Sequence, residues 1–89
     1  MNAAFLAAFD RLPVGAFTVR YDGRLYHAVR RDFAGGRSQE LVAHEAGGAD
    51  YISLNLYRLQ SGARLKPCEM PEEKVVRFVQ GLELVKDRK

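Results

Sequence analysis

The sequence predicts an α+β domain: an N-terminal helix, a four-stranded antiparallel meander made of two hairpins, and a C-terminal helix packed on one face of the sheet. Three observations predict it. Asp22-Gly23 stands between two β-rich runs, and Asp-Gly readily takes the two positive φ angles that a tight hairpin turn demands. Residues 51–59 alternate, with Ile52, Leu54 and Leu56 set against Tyr51, Ser53, Asn55 and Tyr57, the period-2 pattern of a half-buried strand. The two ends of the chain carry helical spacing instead, with Phe5, Leu6, Phe9 and Leu12 at one end and Val75, Val76, Val79 and Leu82 at the other. Eighty-nine residues supply one hydrophobic core and not two, so residues 1–89 read as a single domain.

The first helix is capped by Asn2, favoured by its alanines and ended by Pro13. In the first hairpin a two-residue turn sets Tyr21 opposite Arg24, Val19 opposite Tyr26 and Phe17 opposite Ala28. Those six share the core face, and Ala16, Thr18, Arg20, Leu25, His27 and Val29 share the other. Residues 31–38, with the pair Gly35-Gly36, read as a loop. Residues 39–46 fit a helix capped by Ser38 or a strand, and the alternation downstream favours the strand. A hairpin through Gly47-Gly48 then puts Leu41 and Ala43 in the core with Ile52, Leu54 and Leu56. Glu40, Val42 and His44 join Ser53, Asn55 and Tyr57 on the opposite face. Glu45 and Asp50 would repel across a two-residue loop, so a longer one is expected. Lys66 and Met70 each precede a proline, which reads as a stiff, irregular segment from Leu65 to Pro71. Pro71-Glu72-Glu73 opens the last helix with proline at its first position and acids in its first turn. Gly81 can end that helix, leaving residues 82–85 as a helical extension or a short fifth strand.

The net charge is +3. The densest basic patch runs from Arg20 to Arg37, where Arg20, Arg24, Arg30, Arg31 and Arg37 face only Asp22 and Asp32. A second lies in the tail, Lys86-Asp87-Arg88-Lys89. Nucleic-acid binders usually show a stronger imbalance with aromatic residues set among the basic ones, which argues against nucleic acid as the partner. One cysteine cannot form an internal disulfide. The apolar start has no preceding Lys or Arg and closes at Asp10, the pattern of neither a signal peptide nor a membrane span. Cytoplasm, with no membrane contact, is the expectation.

Gly-Gly-x-Asp-Tyr-Ile-Ser-x-Asn-x-Tyr at 47–57 and Leu-Lys-Pro-Cys-Glu-Met-Pro-Glu-Glu-Lys-Val at 65–75 resemble a family of small, mostly uncharacterised bacterial proteins. The resemblance runs from about Tyr26 to about Phe78. Some members are labelled peptide methionine sulfoxide reductases, a label the residues do not support. The chain has no tryptophan, hence no Gly-Cys-Phe-Trp nucleophile motif, and its single cysteine excludes the paired zinc cysteines usual in the B-type enzymes. The resemblance implies a small bacterial domain and no particular activity.

Two candidate sites remain. Cys68 sits just ahead of a helix start, where the helix dipole favours a thiolate; no second cysteine is available to resolve an oxidised sulfur, and a lone cysteine is most often a small buried hydrophobe. His44, Ser53, Asn55 and Tyr57 share one sheet face and could recognise a small polar ligand or a peptide, or could simply be solvated. The His and Cys spacing makes no metal site, and no cofactor is indicated. The leading expectation is a non-enzymatic module that binds a small ligand or a protein through the polar sheet face or the Pro67–Pro71 segment. Thiol chemistry at Cys68, as a redox sensor or minor enzyme, is the first alternative. Nucleic-acid binding through the arginine patch is the second. An open meander has edges, so the chain is expected as a monomer or an edge-strand homodimer.

Overall fold

The computed structural model describes residues 2–86. In chain order they form α1 (Ala3–Asp10), β1 (Gly15–Tyr21), β2 (Arg24–Phe33), a single 3₁₀ turn (Ala34–Gly36), β3 (Ser38–Glu45), β4 (Tyr51–Leu59), β5 (Gly62–Pro67), α2 (Glu72–Gly81) and β6 (Glu83–Leu84). The strands build one antiparallel sheet in the order β5-β4-β3-β2-β1-β6. β1 to β5 meander across it, and α2 then carries the chain back to place β6 on the far edge.

The first hairpin has the expected register, with Tyr21 opposite Arg24, Val19 opposite Tyr26 and Phe17 opposite Ala28. Asp22 and Gly23 hold it with φ of 54° and 74°. Residues 39–46 fall largely in β3, and the loop to β4 is the longer one. His44 pairs with Tyr51, after which the Glu45 amide donates to the Asp50 carbonyl at 2.9 Å. The repulsion is relieved by separate partners. Glu45 accepts the Asp50 amide on its side chain and faces Arg24 at 3.8 Å, while the Asp50 carboxylate turns away to Tyr26 and Lys74. A side chain at Gly48 would overlap the Glu45 carboxylate in that position.

Three expectations are corrected. The sheet has six strands and not four, because Gly62–Pro67 is β5 rather than an irregular segment. Ala63 and Leu65 alternate inward there against Arg64 and Lys66 outward, and Pro67 is tolerated at the end of an edge strand, where its missing N–H costs no ladder bond. Half of the expected loop over residues 31–38 is strand. β2 runs to Phe33, paired with Ser38, and only residues 34–37 turn. Pro71 is the N-cap of α2 and not its first helical residue. The short C-terminal strand is present as β6, with Leu84 beside Val19 and Glu83 beside Arg20. Of the tail patch, residues 87–89 lie outside the described residues.

The helices seal one face of the sheet. Phe5 and Phe9 of α1 and Val75, Phe78 and Val79 of α2 are buried against Val19, Tyr26, Ala28, Leu41, Ala43, Ile52, Leu54 and Leu56. Tyr21, Tyr26 and Phe78 meet edge to face, with ring centroids 5.0–6.3 Å apart. At one end this face turns polar. Arg30, 7% exposed, follows Tyr26 and Ala28 in the inward series. Its guanidinium donates to the carbonyls of Phe9 (3.0 Å) and Leu12 (2.8 Å), closing the C-terminus of α1. It also grips Asp32 bidentately at 3.0 and 3.2 Å and lies over the Phe9 ring. Gln39 donates to Asp32 and accepts from Arg58, whose guanidinium reaches Asp10. Arg30 therefore leaves the expected basic patch: it is an internal clamp.

Candidate functional site

Among the described residues the other face of the sheet carries no helix, and strand register fixes what it displays. One cross-strand row holds Thr18, His27, His44 and Tyr51; the next holds Ala16, Val29, Val42 and Ser53. A third holds Arg31, Glu40, Asn55 and Lys66, and a fourth Phe33, Ser38, Tyr57 and Arg64. Leu25, Val29 and Phe33 are 38%, 36% and 50% exposed, and they are successive outward residues of β2 apart from His27 and Arg31. Shallow depressions cross the middle of the face. One of 290 Å³ is lined by His27, Val29, Arg31, Glu40, Val42 and His44. Another, of 670 Å³, lies between the His27 and Val29 side of β2 and the Leu84-Val85 segment.

All five candidate residues sit on this face. His44 is exposed and stacks on Tyr51, ring centroids 6.1 Å apart and 22° between planes. Ser53, Asn55 and Tyr57 are half-buried at their places in β4. Cys68 continues the β4–β5 ladder by one residue, its amide donating to the Ser53 carbonyl at 3.0 Å. The residue is half-buried, and its sulfur receives a long contact from Asn55 Nδ2 at 3.6 Å. The structure thus joins Cys68 to Asn55 and not to a histidine. His27 and His44 pair with each other across β2 and β3, in the row beyond Ser53. Among the described residues, no three His, Cys, Asp or Glu side chains converge as a metal site.

A second polar cluster lies at the mouth of the sealed face. Asp50 accepts from the Tyr26 hydroxyl and from Lys74 Nζ, each at 2.7 Å, and Lys74 also stands 5.8 Å from the Tyr51 ring centroid. Burial, then the hydrogen bond to Asp50, pushes the Tyr26 phenol up to about 12. The bond from Lys74, then that from Tyr26, holds the Asp50 carboxyl below its ordinary range. A 310 Å³ cleft opens beside it, lined in part by Tyr21, Pro71, Lys74 and Arg77. Both Asp50 oxygens are engaged within the chain, so this cluster ties the β3–β4 loop to α2. Asp50 and Lys74, 24 residues apart in sequence, are partners.

Sequence reasoning missed Arg30, Asp32, Gln39 and Arg58 as a set, and it missed that Phe33, Arg64 and Lys66 share the face of Tyr57. The second was legible in principle, because the alternation of residues 62–67 continues the pattern of β4. The first had no signal, since inward polar residues look the same in sequence as a strand leaving the core.

Compared with protein-family models, curated proteins and solved structures, the chain matches none. The assignment of function therefore rests on the geometry of the two faces. No helix among the described residues is long and apolar enough to cross a membrane.

Proposed function

We propose that this chain is a non-enzymatic binding module that presents the open face of its sheet to a partner. The observation that carries the reading is the contrast between the faces. One is sealed by two helices, while the other leaves Leu25, Val29 and Phe33 at the surface beside His27, His44 and Tyr57. An uncovered sheet face that mixes apolar, aromatic and cationic side chains is suited to docking a partner and has no other work in the fold. The β5 edge supports a chain that acts without pairing strands with a copy of itself, because Arg64, Lys66 and Pro67 blunt it. The Asn55 amide, in place of an imidazole, contacts the Cys68 sulfur, which supports binding over thiol chemistry.

The test is capture from an extract of cells that express the protein, followed by mass spectrometry. Components retained by the wild-type chain should also be retained by Gln80→Glu, on the exposed side of α2, and lost from the double variant His27→Glu, Val29→Glu. Equal retention by all three would remove the open face as the binding surface.

A further inference from the structure

We propose that the occupant of the open face is single-stranded nucleic acid, with bases on the aromatic rows and phosphates on the cations between and beside them. This rests on the open-face reading and names its partner.

The argument begins with charge. Outward positions of the sheet carry Arg20, Arg31, Arg64 and Lys66, all exposed, against the carboxylates Glu40 and Glu83. Glu40 is the one carboxylate in the middle of the face. It stands 3.9 Å from Arg31, whose side chain is 66% exposed, so the arginine keeps most of its donors free. The face is therefore complementary to a polyanion and unfavourable to a second copy of itself.

Planar side chains come next. Phe33 and Tyr57 share the row that ends in Arg64; His27, His44 and Tyr51 share the row at the other end of the face. Six residues of β2 separate His27 from Phe33, about 20 Å at the strand rise of about 3.3 Å per residue. Between the two rows lie Arg31, the Asn55 amide and Lys66. A cationic surface with aromatic platforms along it is the arrangement that holds single strands, because every base offers a π face while the backbone follows the charges. A duplex keeps its base faces covered and could use only the cations. An acidic peptide would likewise match the charge but leave the aromatic rows without planar partners. The sequence patch from Arg20 to Arg37 lacked this combination because Tyr57, Arg64 and Lys66 arrive from β4 and β5, and only register puts them beside Phe33 and Arg31.

Fluorescence anisotropy of labelled oligo(U) and oligo(dT) with the full chain tests the proposal, with a hairpin duplex and a polyglutamate peptide as competitors. Single strands should bind, and log Kd should rise with log salt at a slope of about 3 for four phosphate contacts. The pair Arg31→Ala, Lys66→Ala should lower that slope by about 1.4. Phe33→Ala should weaken binding about tenfold and leave the slope unchanged. Phe33 is half-exposed, so this variant keeps the fold; Tyr57→Leu serves where Tyr57→Ala lowers the melting temperature. Absence of single-strand binding at low salt overturns the proposal. So does binding that Phe33→Ala and Tyr57→Leu leave untouched, or displacement by polyglutamate at equal charge, which would assign the face to an acidic protein. Where oligonucleotides fail and capture from extract still depends on His27 and Val29, the nucleic-acid assignment falls and the open-face reading stands.

Discussion

The two faces of this sheet are made by the same strands, from alternate residues, and they obey different rules. On the sealed face Tyr26, Ala28, Leu41, Ala43, Ile52, Leu54 and Leu56 are buried to within about 1% exposure, and even its polar end is fully bonded. No buried side-chain nitrogen or oxygen among the described residues lacks a partner. On the open face none of the strand neighbours one residue away, from Leu25 to Tyr57, is fully buried. A chain this small has one set of inward positions with which to hold itself together, which leaves the outward set free to carry recognition. With the proposed binding on the outward set, a single residue of register separates it from the positions that hold the fold.

The largest effect should come from the centre of the sealed face. Phe78 is fully buried and meets both Tyr21 and Tyr26 edge to face, so Phe78→Ala should cost about 3–5 kcal/mol. Urea denaturation would read it, and a loss below about 1 kcal/mol would mean that the core collapses around the gap. Next comes Arg30, which makes four hydrogen bonds, two to carbonyls of α1 and its exit and two to Asp32. Arg30→Met keeps the stem, leaves the Asp32 carboxylate with Gln39 as its only side-chain donor among the described residues and uncaps α1, for about 2–4 kcal/mol. Arg30→Lys should rescue little, because an ammonium lacks the planar fork that serves the carbonyls and the carboxylate together. A lysine variant as stable as wild type would show the clamp to be electrostatic only.

How much of this was legible in the sequence follows the same division. Alternation and the Asp22-Gly23 turn determined both faces of the first hairpin and of β3–β4, because a shift of one residue would have exposed Leu41, Ile52 and Leu54 together. Alternation puts His44, Ser53, Asn55 and Tyr57 on the face where they lie, whereas Cys68, in a stretch that reads as irregular, had no face assigned. β5 was hidden by its one proline: the rule that Pro breaks strands holds for central strands, and Pro67 ends an edge strand. Arg30 was read as surface because arginine usually is. What buries it is the need of the α1 carbonyls for donors, which is visible only once Phe9 and Leu12 are placed over β2. The pairing of Asp50 with Lys74 was hidden for a like reason, since no local pattern couples a loop to a helix that follows two strands later.

The two polar ties, one at each end of the sealed face, make the comparison sensitive to pH. The hydrogen bonds from Arg30, and next in weight that from Gln39, hold the Asp32 carboxyl below its ordinary value; Asp50 is held down by Lys74 and Tyr26. A depressed carboxyl contributes stability that is present above its unfolded value, about 4, and lost as pH falls through the folded value. Urea midpoints should therefore fall below about pH 4. Asp50→Asn should cost about 1–2 kcal/mol at neutral pH and flatten that acid limb. Tyr26 works in the opposite sense: its raised value gives stability that is complete below about pH 10 and lost as pH rises towards about 12. Phenolate absorbance should show one tyrosine titrating near pH 12, and Asp50→Asn should bring that step down. An acid limb identical in Asp50→Asn and wild type would assign the loss to Asp32 and its clamp alone.

The smallest expected effect is the most discriminating. Val29 lies between His27 and Arg31 on the open face and is 36% exposed. Val29→Thr keeps the branched shape that suits a strand and replaces one methyl by a hydroxyl that faces solvent, so stability should change by no more than about 0.5 kcal/mol. Its inward neighbour Ala28 is 1% exposed, and Ala28→Thr, one residue away on the same strand, should be strongly destabilising because the added atoms have no room beneath the helices. Thermal melts of the two variants side by side measure the separation of the faces directly. If Val29→Thr costs as much as Ala28→Thr, the outward positions also hold the fold. They would then not be free for a partner, and losses of binding from outward variants could no longer be told from losses of structure.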